Sequence, residues 1–435
     1  MRHSTGLYAL AVCGSFSCAH VAFAQARPPQ NAPAQATRFD SLRLSRNSAI
    51  AEALQHNAQL EIANEQTAQA RGRRAQGIAV PDPQLSAAYD ASPGPFTFGA
   101  AGSRPVSIGL SIPFLDKFRQ NNRIGNADIH ASESNYRLQQ QNVALTASAD
   151  YDSLILAYRQ REILTDTRNL ANDFLKRTQA RFDAGTAAKL DVIQAQVSVA
   201  QAQTDLIANE RDIAAAQASL NRTLGRVIGA PIVPTDTLSL PRDLPDSTSI
   251  EEMALRDRPE LAILQNQQLG AAASTKLAKE FWLPDLTFGV QRDYIAPGSA
   301  SFTTGIALPL PTFYWQHSRG EIAIAQHFEK ELSATYRDAR AQVTQDVRTA
   351  YANASTAMRQ VVFIRDQLVP GAREAYRVAS TSYGLGGSSA LEVLTARQTL
   401  LQAESQLAEA LAAANTARAD LDRALGLVPV APGNR

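Results

Sequence analysis

Apolar positions along this chain recur with two different periods, arranged in blocks. From Val106 to Pro113, the residues Val106, Ile108, Leu110 and Ile112 alternate with Ser107, Gly109 and Ser111. A period of two sends alternate side chains to opposite faces of a strand. Leu286, Phe288 and Val290 alternate with Thr287, Gly289 and Gln291 in the same way, and Phe302, Ile306, Leu308 and Leu310 oppose Thr303, Gly305 and Ala307. Strands are predicted at about 84–92, 104–113, 285–295 and 301–310. Each is near the ten residues of a tilted membrane strand. A soluble hairpin with one buried face is the competing reading of these runs.

Between the strands the period lengthens. Ser48 to Ile78 reads as one helix, ended by Pro81 and Pro83. Arg123 to Arg181 contains no proline and reads as a helix roughly 90 Å long at 1.5 Å per residue. A turn at Ala184-Gly185-Thr186 reverses the chain. The return helix carries Val192, Ala195, Val199, Ala202, Leu206, Ile213, Ala216 and Leu220, the 3.5-residue seam of a coiled coil. It is about 50 Å long. Two short helices stacked end to end therefore match one long helix, which predicts wall segments of a cylinder.

The whole pattern occurs twice. Ala53-Leu54, Leu60, Pro83, Phe182, Gly185, Leu190-Asp191-Val192 and Leu224-Gly225 correspond to Ala254-Leu255, Leu261, Pro284, Tyr383, Gly386, Leu391-Glu392-Val393 and Leu425-Gly426, each displaced by 201 residues. Gly109 and Pro113 match Gly305 and Pro309 at 196, and Tyr136 and Tyr151 match Tyr336 and Tyr351 at 200. The expected organisation is a signal peptide at 1–24, a proline-rich leader at 25–47 and a first repeat at 48–225 with its tip turn at 183–188. An equatorial linker at 226–248 leads to a second repeat at 249–427 with its tip turn at 384–389, and a tail at 428–435 follows.

Composition narrows what such a fold can do. Lys+Arg is 42 and Asp+Glu 41, so no basic face for nucleic acid is expected. Arg2, the apolar run from Leu7 and Ala22-Phe23-Ala24 fit a secretory signal with cleavage before Gln25. Both cysteines, Cys13 and Cys18, lie inside that segment, and neither fits a lipidation site well. The mature chain would hold no thiol, which excludes disulfides and cysteine nucleophiles. His56, His130, His317 and His327 show no metal-ligand or triad spacing, and no phosphate-binding glycine loop is present. No cofactor, no metal and no enzymatic activity are expected.

No run approaches 18 apolar residues, so a membrane role needs the strands. Aromatics cluster at one end of the hairpins: Phe114, Phe118, Phe281, Trp282, Phe313, Tyr314 and Trp315. They fit an interfacial girdle of which Phe114, Trp282, Phe313, Tyr314 and Trp315 are the candidates; core packing is an equally ordinary use. Four strands cannot close a barrel, and a membrane tolerates no open sheet edge, so the chain is expected to assemble.

Three motifs resemble those of the outer-membrane efflux protein (TolC) family across nearly the full mature length. They are Phe182-Asp183-Ala184-Gly185-Thr186 before Leu190-Asp191-Val192-Ile193-Gln194-Ala195, Tyr383-Gly384-Leu385-Gly386 before Leu391-Glu392-Val393-Leu394-Thr395-Ala396, and Pro309-Leu310-Pro311-Thr312-Phe313 before Arg319-Gly320-Glu321-Ile322. The resemblance implies a mainly α fold with membrane β. A homotrimer would form a 12-helix α-barrel continued by a 12-strand outer-membrane β-barrel, four strands per chain. It implies an exit duct working with a periplasmic adaptor (membrane fusion protein), an inner-membrane pump of RND type and outer-membrane lipids. A type I protein secretion channel and a soluble periplasmic coiled-coil scaffold are the alternatives.

The same resemblance assigns the gate. Asp191 and Tyr383 stand where a closing link is made, and Glu392 where some members carry a lumen ring of carboxylates. Thr395 replaces a second acidic ring and Ser388 a basic latch. Asp191 and Glu392 would equally suit the positive end of a helix dipole. Phe182, Gly185, Thr186, Gly386 and Gly387 mark the helix tips where an adaptor would dock. Heavy-metal and multidrug members look closest, and the substrate stays open.

Overall fold

The computed structural model describes residues 42–88, 104–246, 249–280, 283, 285–296, 299–307 and 314–428. The signal segment, the leader up to residue 41, the tail from 429, and the girdle candidates Trp282 and Phe313 lie outside them.

The elements in chain order are β1 (Leu42–Leu44), α1 (Arg46–His56), α2 (Ala58–Gly77), β2 (Gln84–Ala87), β3 (Arg104–Ile112), α3 (Leu115–Asp183), α4 (Lys189–Thr223), β4 (Ile232–Pro234), α5 (Ile250–Asp257), α6 (Pro259–Lys279), β5 (Leu286–Ala296), β6 (Ser299–Ala307), α7 (Tyr314–Phe363), a π-helical turn (Ile364–Leu368), α8 (Val369–Gly384) and α9 (Ala390–Ala424). With 69 residues, α3 is about 100 Å long. One flank of α3 packs against α1, α2 and α4; it also packs against α6 and α9, which carry α7 and α8 in turn.

The single helix expected over 48–78 is two helices. Asn57 is extended (φ −74°, ψ 125°) and its side chain accepts from Gln59 N at 2.9 Å, capping α2. Arg258, its match in the second repeat, has nearly the same backbone (φ −70°, ψ 123°) and is followed by Pro259. The break serves the stacking of helix ends. The C-terminal turn of α4 abuts it: Asn57 Nδ2 donates to Thr223 O at 2.8 Å, and a Cβ on Gly225 would lie 2.4 Å from His56 O. A Cβ on Gly426 after α9 would lie 2.8 Å from Asp257 O, also too close for any side chain. Only a glycine backbone allows both joints.

Each joint sits on its own core. Ala53, Leu60, Leu220 and Leu224 are buried in the first, with Tyr151 and Leu154 of α3. Ala254, Leu261, Leu421 and Leu425 are buried in the second, with Val347 and Ala354 of α7. The residues that repeat in sequence are thus those that fill space.

The segment between the repeats ties these cores together. β4 runs parallel to β1, pairing Leu42 with Ile232. Neither three-residue strand is foreseen from sequence, because so short a stretch leaves no readable period. Beyond β4, Asp236 accepts from Arg46 N at 2.7 Å, and Tyr151 Oη donates to Leu44 O at 2.8 Å. Burial pushes the Tyr151 phenol up to about 12. The Arg46 guanidinium, its pKa lowered by burial, pairs with Asp152 of α3 and reaches Asn415 Oδ1 of α9 at 3.2 Å. Asn415 Nδ2 in turn donates to Ser239 O at 2.9 Å.

The remaining strands form one antiparallel sheet, β2-β3-β5-β6. Gly109 pairs with Gly289, and Gly289 with Gly305. Opposed residues share a face. Leu85, Val106, Ile108, Phe288, Val290, Phe302 and Ile306 share one, and all are exposed, Leu85 at 73%. Ser107, Gly109, Ser111, Thr287, Gly289, Gln291, Thr303 and Gly305 take the other. No described helix is long and apolar enough to cross a membrane. The sheet carries the uncovered apolar surface instead.

Candidate functional site

The two helical hairpins, α3–α4 and α8–α9, end in tips of the same backbone design. Gly185 (φ 74°) and Gly386 (φ 84°) each take the left-handed conformation just past a helix. Thr186 N then donates to Arg181 O and Gly387 N to Ser382 O, both at 2.8 Å. This is the glycine-terminated helix end that satisfies the last free carbonyls. Ser388 Oγ fastens the second turn to Ala379 O at 3.0 Å, and Thr186 Oγ1 fastens the first to Arg181 O at 3.0 Å.

Tyr383 is the buried centre of this end, only 3% exposed. Phe174, Ala195, Ala390 and Val393 enclose it. Its ring lies 5.2 Å from that of Phe174, and its hydroxyl meets Thr178 Oγ1 at 3.4 Å. Arg181 covers the opposite side: the guanidinium sits 4.4 Å from the ring centroid, donates to the Tyr383 carbonyl, and reaches Thr186 O at 3.2 Å. One arginine of the first hairpin therefore holds the ring and turn of the second together with its own turn. Such a contact combines cation–π attraction with charge-assisted hydrogen bonds.

The carboxylates stand apart from this knot. Asp191 accepts from Ala188 N at 3.4 Å, within its own helix start. Glu392 is exposed and forms a reciprocal cap: Ser389 N donates to Glu392 Oε2 at 3.3 Å, and Glu392 N to Ser389 Oγ at 3.2 Å. Thr395 is exposed and bonds back to Leu391 O at 2.9 Å. Asp191 and Tyr383 are not joined within the chain; the partners of Tyr383 are Thr178, Phe174 and Arg181. The resemblance pointed to the ring and missed these three. A signal existed at one of them, since Arg181 precedes the first tip motif while Ser382 holds the matching place.

Among the charged groups of the tips, three leucines stand exposed. Leu190 (61%), Leu391 (64%) and Leu385 (86%) are exposed, while Phe182 is half-buried under Lys189 Nζ, 5.2 Å from its ring. At the other end, Phe114 is exposed at the start of α3, and Tyr314 and Trp315 open α7. No three His, Cys, Asp or Glu residues converge as a metal site among the described residues. Below the joints, Arg397 of α9 is buried, which lowers its pKa, and its Nε and Nη1 have no partner within the chain.

Comparison with known proteins bears on both ends. The profile described as "Outer membrane efflux protein" matches residues 47–226 and 251–427, one match for each repeat. The pyoverdine export outer membrane protein OpmQ of Pseudomonas putida is 28% identical over 311 residues, 67% of this chain and 64% of that protein. The cobalt-zinc-cadmium resistance protein CzcC of Cupriavidus metallidurans is 24% identical over 287 residues, 63% of this chain and 65% of its own length. The match thus spans just under two thirds of these relatives. A crystal structure of CusC, described in terms of transmembrane channel formation, superposes with a TM-score of 0.76 at 21% identity, over 88% of this chain and 92% of that one. At that identity the likeness concerns the fold.

Proposed function

Because the chain belongs to the outer membrane efflux protein family, we propose that it is the outer-membrane exit duct of a tripartite efflux system, conducting passively what an inner-membrane pump delivers. The observation that carries this reading is the sheet with one exposed face that is apolar apart from Arg292 and Thr304, and one small, polar face. A soluble scaffold would have to leave that apolar face in water. In a barrel the same face meets lipid, and the Ser, Thr, Gly and Gln face lines a wet lumen.

Closure requires more than one chain. β2 and β6 are open edges, and three copies supply twelve strands. The helices lend support: the flank helix α4 exposes Leu190, Ile193, Val197 and Ile207, and the far edge exposes Ile324, Phe328, Val362 and Val378. Two unlike apolar edges on one chain suit a head-to-tail ring. In this homotrimer the stacked helices form a twelve-helix tunnel. Phe182, Gly185, Thr186, Gly386 and Gly387 at its tip meet a periplasmic adaptor, which couples it to a pump of RND type.

The tip is the gate. Arg181 and Tyr383 hold each chain's two hairpins together, with Ser388 bracing the turn. Exposed Glu392, with Thr395 one turn on, is placed for a ring in which three carboxylates would repel one another and attract cations. Asp191 is placed for a contact with a neighbouring copy. We read the protein as a conduit without cofactor rather than an enzyme, with substrate set by the pump. OpmQ is named for pyoverdine export and CzcC for metal resistance, and both cargo classes fit a passive duct.

The test is the purified protein in detergent and in planar bilayers. It should run as a heat-modifiable trimer and insert as discrete conducting channels; a monomer without conductance would overturn the reading. Glu392→Gln should weaken cation block and cation selectivity. If both stay unchanged, Glu392 does not line the constriction.

A further inference from the structure

The two long helices of the duplicated unit differ by one residue, and the structure shows where it went. Ala147 and Leu154 of α3 match Val347 and Ala354 of α7 at a displacement of 200, whereas Ala171 and Phe182 match Ala372 and Tyr383 at 201. The second copy has therefore gained a residue between 354 and 372. Within that window the helix widens into the π-helical turn Ile364–Leu368, where Val369 N bonds to Ile364 O, five residues back. The buried seam records the same slip. Val361 and Val369 are both buried and eight positions apart, one more than a heptad allows.

Three features make this turn soft. None of Ile364–Leu368 is fully buried, and only Ile364 rests half-buried against α9, while the matching stretch of α3 buries Ile163, Leu164 and Thr167. Pro370, one residue beyond the turn, has no amide with which to restore the α-helical ladder. The ion pair on the turn, Arg365 with Asp366 at 2.7 Å, joins neighbours in sequence and ties the turn to no other element. Widened turns and prolines are the usual causes of helix bending. Dihedrals on either side stay helical, φ −62° and ψ −46° at Phe363 and φ −66° and ψ −46° at Val369, so the helix continues through it.

We propose that this extra residue, held as a π turn by Pro370, is a hinge that positions Tyr383 and lets α8 swing against α7, the N-terminal half of the continuous α9 bending with it. A simple insertion into an α-helix would rotate everything beyond it by about 100°. Tyr383 would then leave Thr178 and Arg181. Taking the residue up in the π turn keeps Tyr383 on those partners, and it concentrates bending above the gate. α3, which supplies Arg181, runs without interruption and serves as the fixed side.

This rests on the channel reading, and two measurements on the full-length protein in detergent separate the two ideas. Hydrogen exchange read by mass spectrometry should show residues 362–371 exchanging about tenfold faster than residues 161–170. Equal exchange in the two stretches overturns the hinge whatever the protein conducts. Next, deletion of Gln367 combined with Pro370→Ala gives an uninterrupted helix like α3. Its exchange should slow to the level of 161–170, and single-channel openings should become about tenfold rarer. A straightened variant that opens as often as the parent overturns the coupling to the gate. If that variant fails to assemble, Pro370→Ala alone, which keeps the chain length, must shift exchange and openings in the same direction. A parent protein without conductance would refute the channel instead, leaving the exchange comparison to decide the hinge.

Discussion

The tips of the two hairpins share a turn but not a finish. Both close with a left-handed glycine and the same pair of backbone bonds. In the second, Tyr383 is buried, and Ser389 with Glu392 caps α9 in both directions. In the first, Phe182 is only half-buried, and Ala188 offers α4 no side-chain cap. The first hairpin contributes Arg181 instead, which holds the second, and the matching Ser382 returns nothing of the kind. Duplication thus preserved what the backbone needs to reverse direction. The copies then divided the labour between a side that clamps and a side that is clamped.

Removing the clamp should have the largest effect. Arg181→Ala loses a cation–π contact and charge-assisted hydrogen bonds, together about 3 kcal/mol. Single-channel recordings should show the ratio of open to closed states rising about 100-fold. Ser382→Arg at the matching place should leave it unchanged; an equal effect there would erase the asymmetry.

The cores at the two joints also differ. Tyr151 is fully buried, whereas the matching Tyr351 is half-buried. The ordinary phenol value is about 10, and Tyr151 is raised to about 12. Between these values the folded state keeps a proton that the unfolded chain has lost. Stability is therefore full below pH about 10 and falls by about 2–3 kcal/mol as pH rises to about 12. Thermal denaturation across that window should show the decline, and Tyr151→Phe should flatten it more than Tyr351→Phe.

The caps come next. Ser389→Ala should weaken the start of α9 by about 1 kcal/mol, read as about fivefold faster hydrogen exchange at its first turn. Ala188→Ser should protect the first turn of α4 by a similar factor. The smallest effect is that of the hydroxyl on the ring. Tyr383→Phe gives up one long bond to Thr178, about 0.5–1 kcal/mol, and should raise opening about threefold. Phe182→Tyr, which makes the tips alike, should change opening by less than about twofold.

What the sequence disclosed follows the length and redundancy of each signal. The run Val106 to Ile112 lies within β3, and Leu286 to Gln291 within β5, because period two over a half-exposed strand leaves nothing to chance. The repeated glycines and leucines marked the joints because a close backbone contact and a filled core admit few alternatives. The break at Asn57 was hidden inside continuous apolar periodicity, although Pro259, one place past its match, was a clue in the other copy. Arg181 was hidden for a different reason. Its partners come from another hairpin about 200 residues away, and no local spacing encodes which ring a guanidinium will cover. The π turn lay in plain view as a change of displacement from 200 to 201, yet a one-residue drift is equally the mark of a loop insertion until the helix is seen to pass through it.

The stacked joints carry a mechanical consequence. Gly225 closes its joint beside α3, which passes it unbroken, and Gly426 closes its own beside α7 and α3. The seams are bonded like courses of brick, each gap bridged by a continuous neighbour. A wall laid this way resists buckling at its seams, since any bend there would have to bend a whole helix as well. Compliance is displaced to wherever a bridging member is itself interrupted. Among the described residues of α3 and α7–α8, that place is the turn at Ile364–Leu368. Axial load applied at the tips would therefore be carried stiffly past the joints and relieved below them, on the side that bears Tyr383.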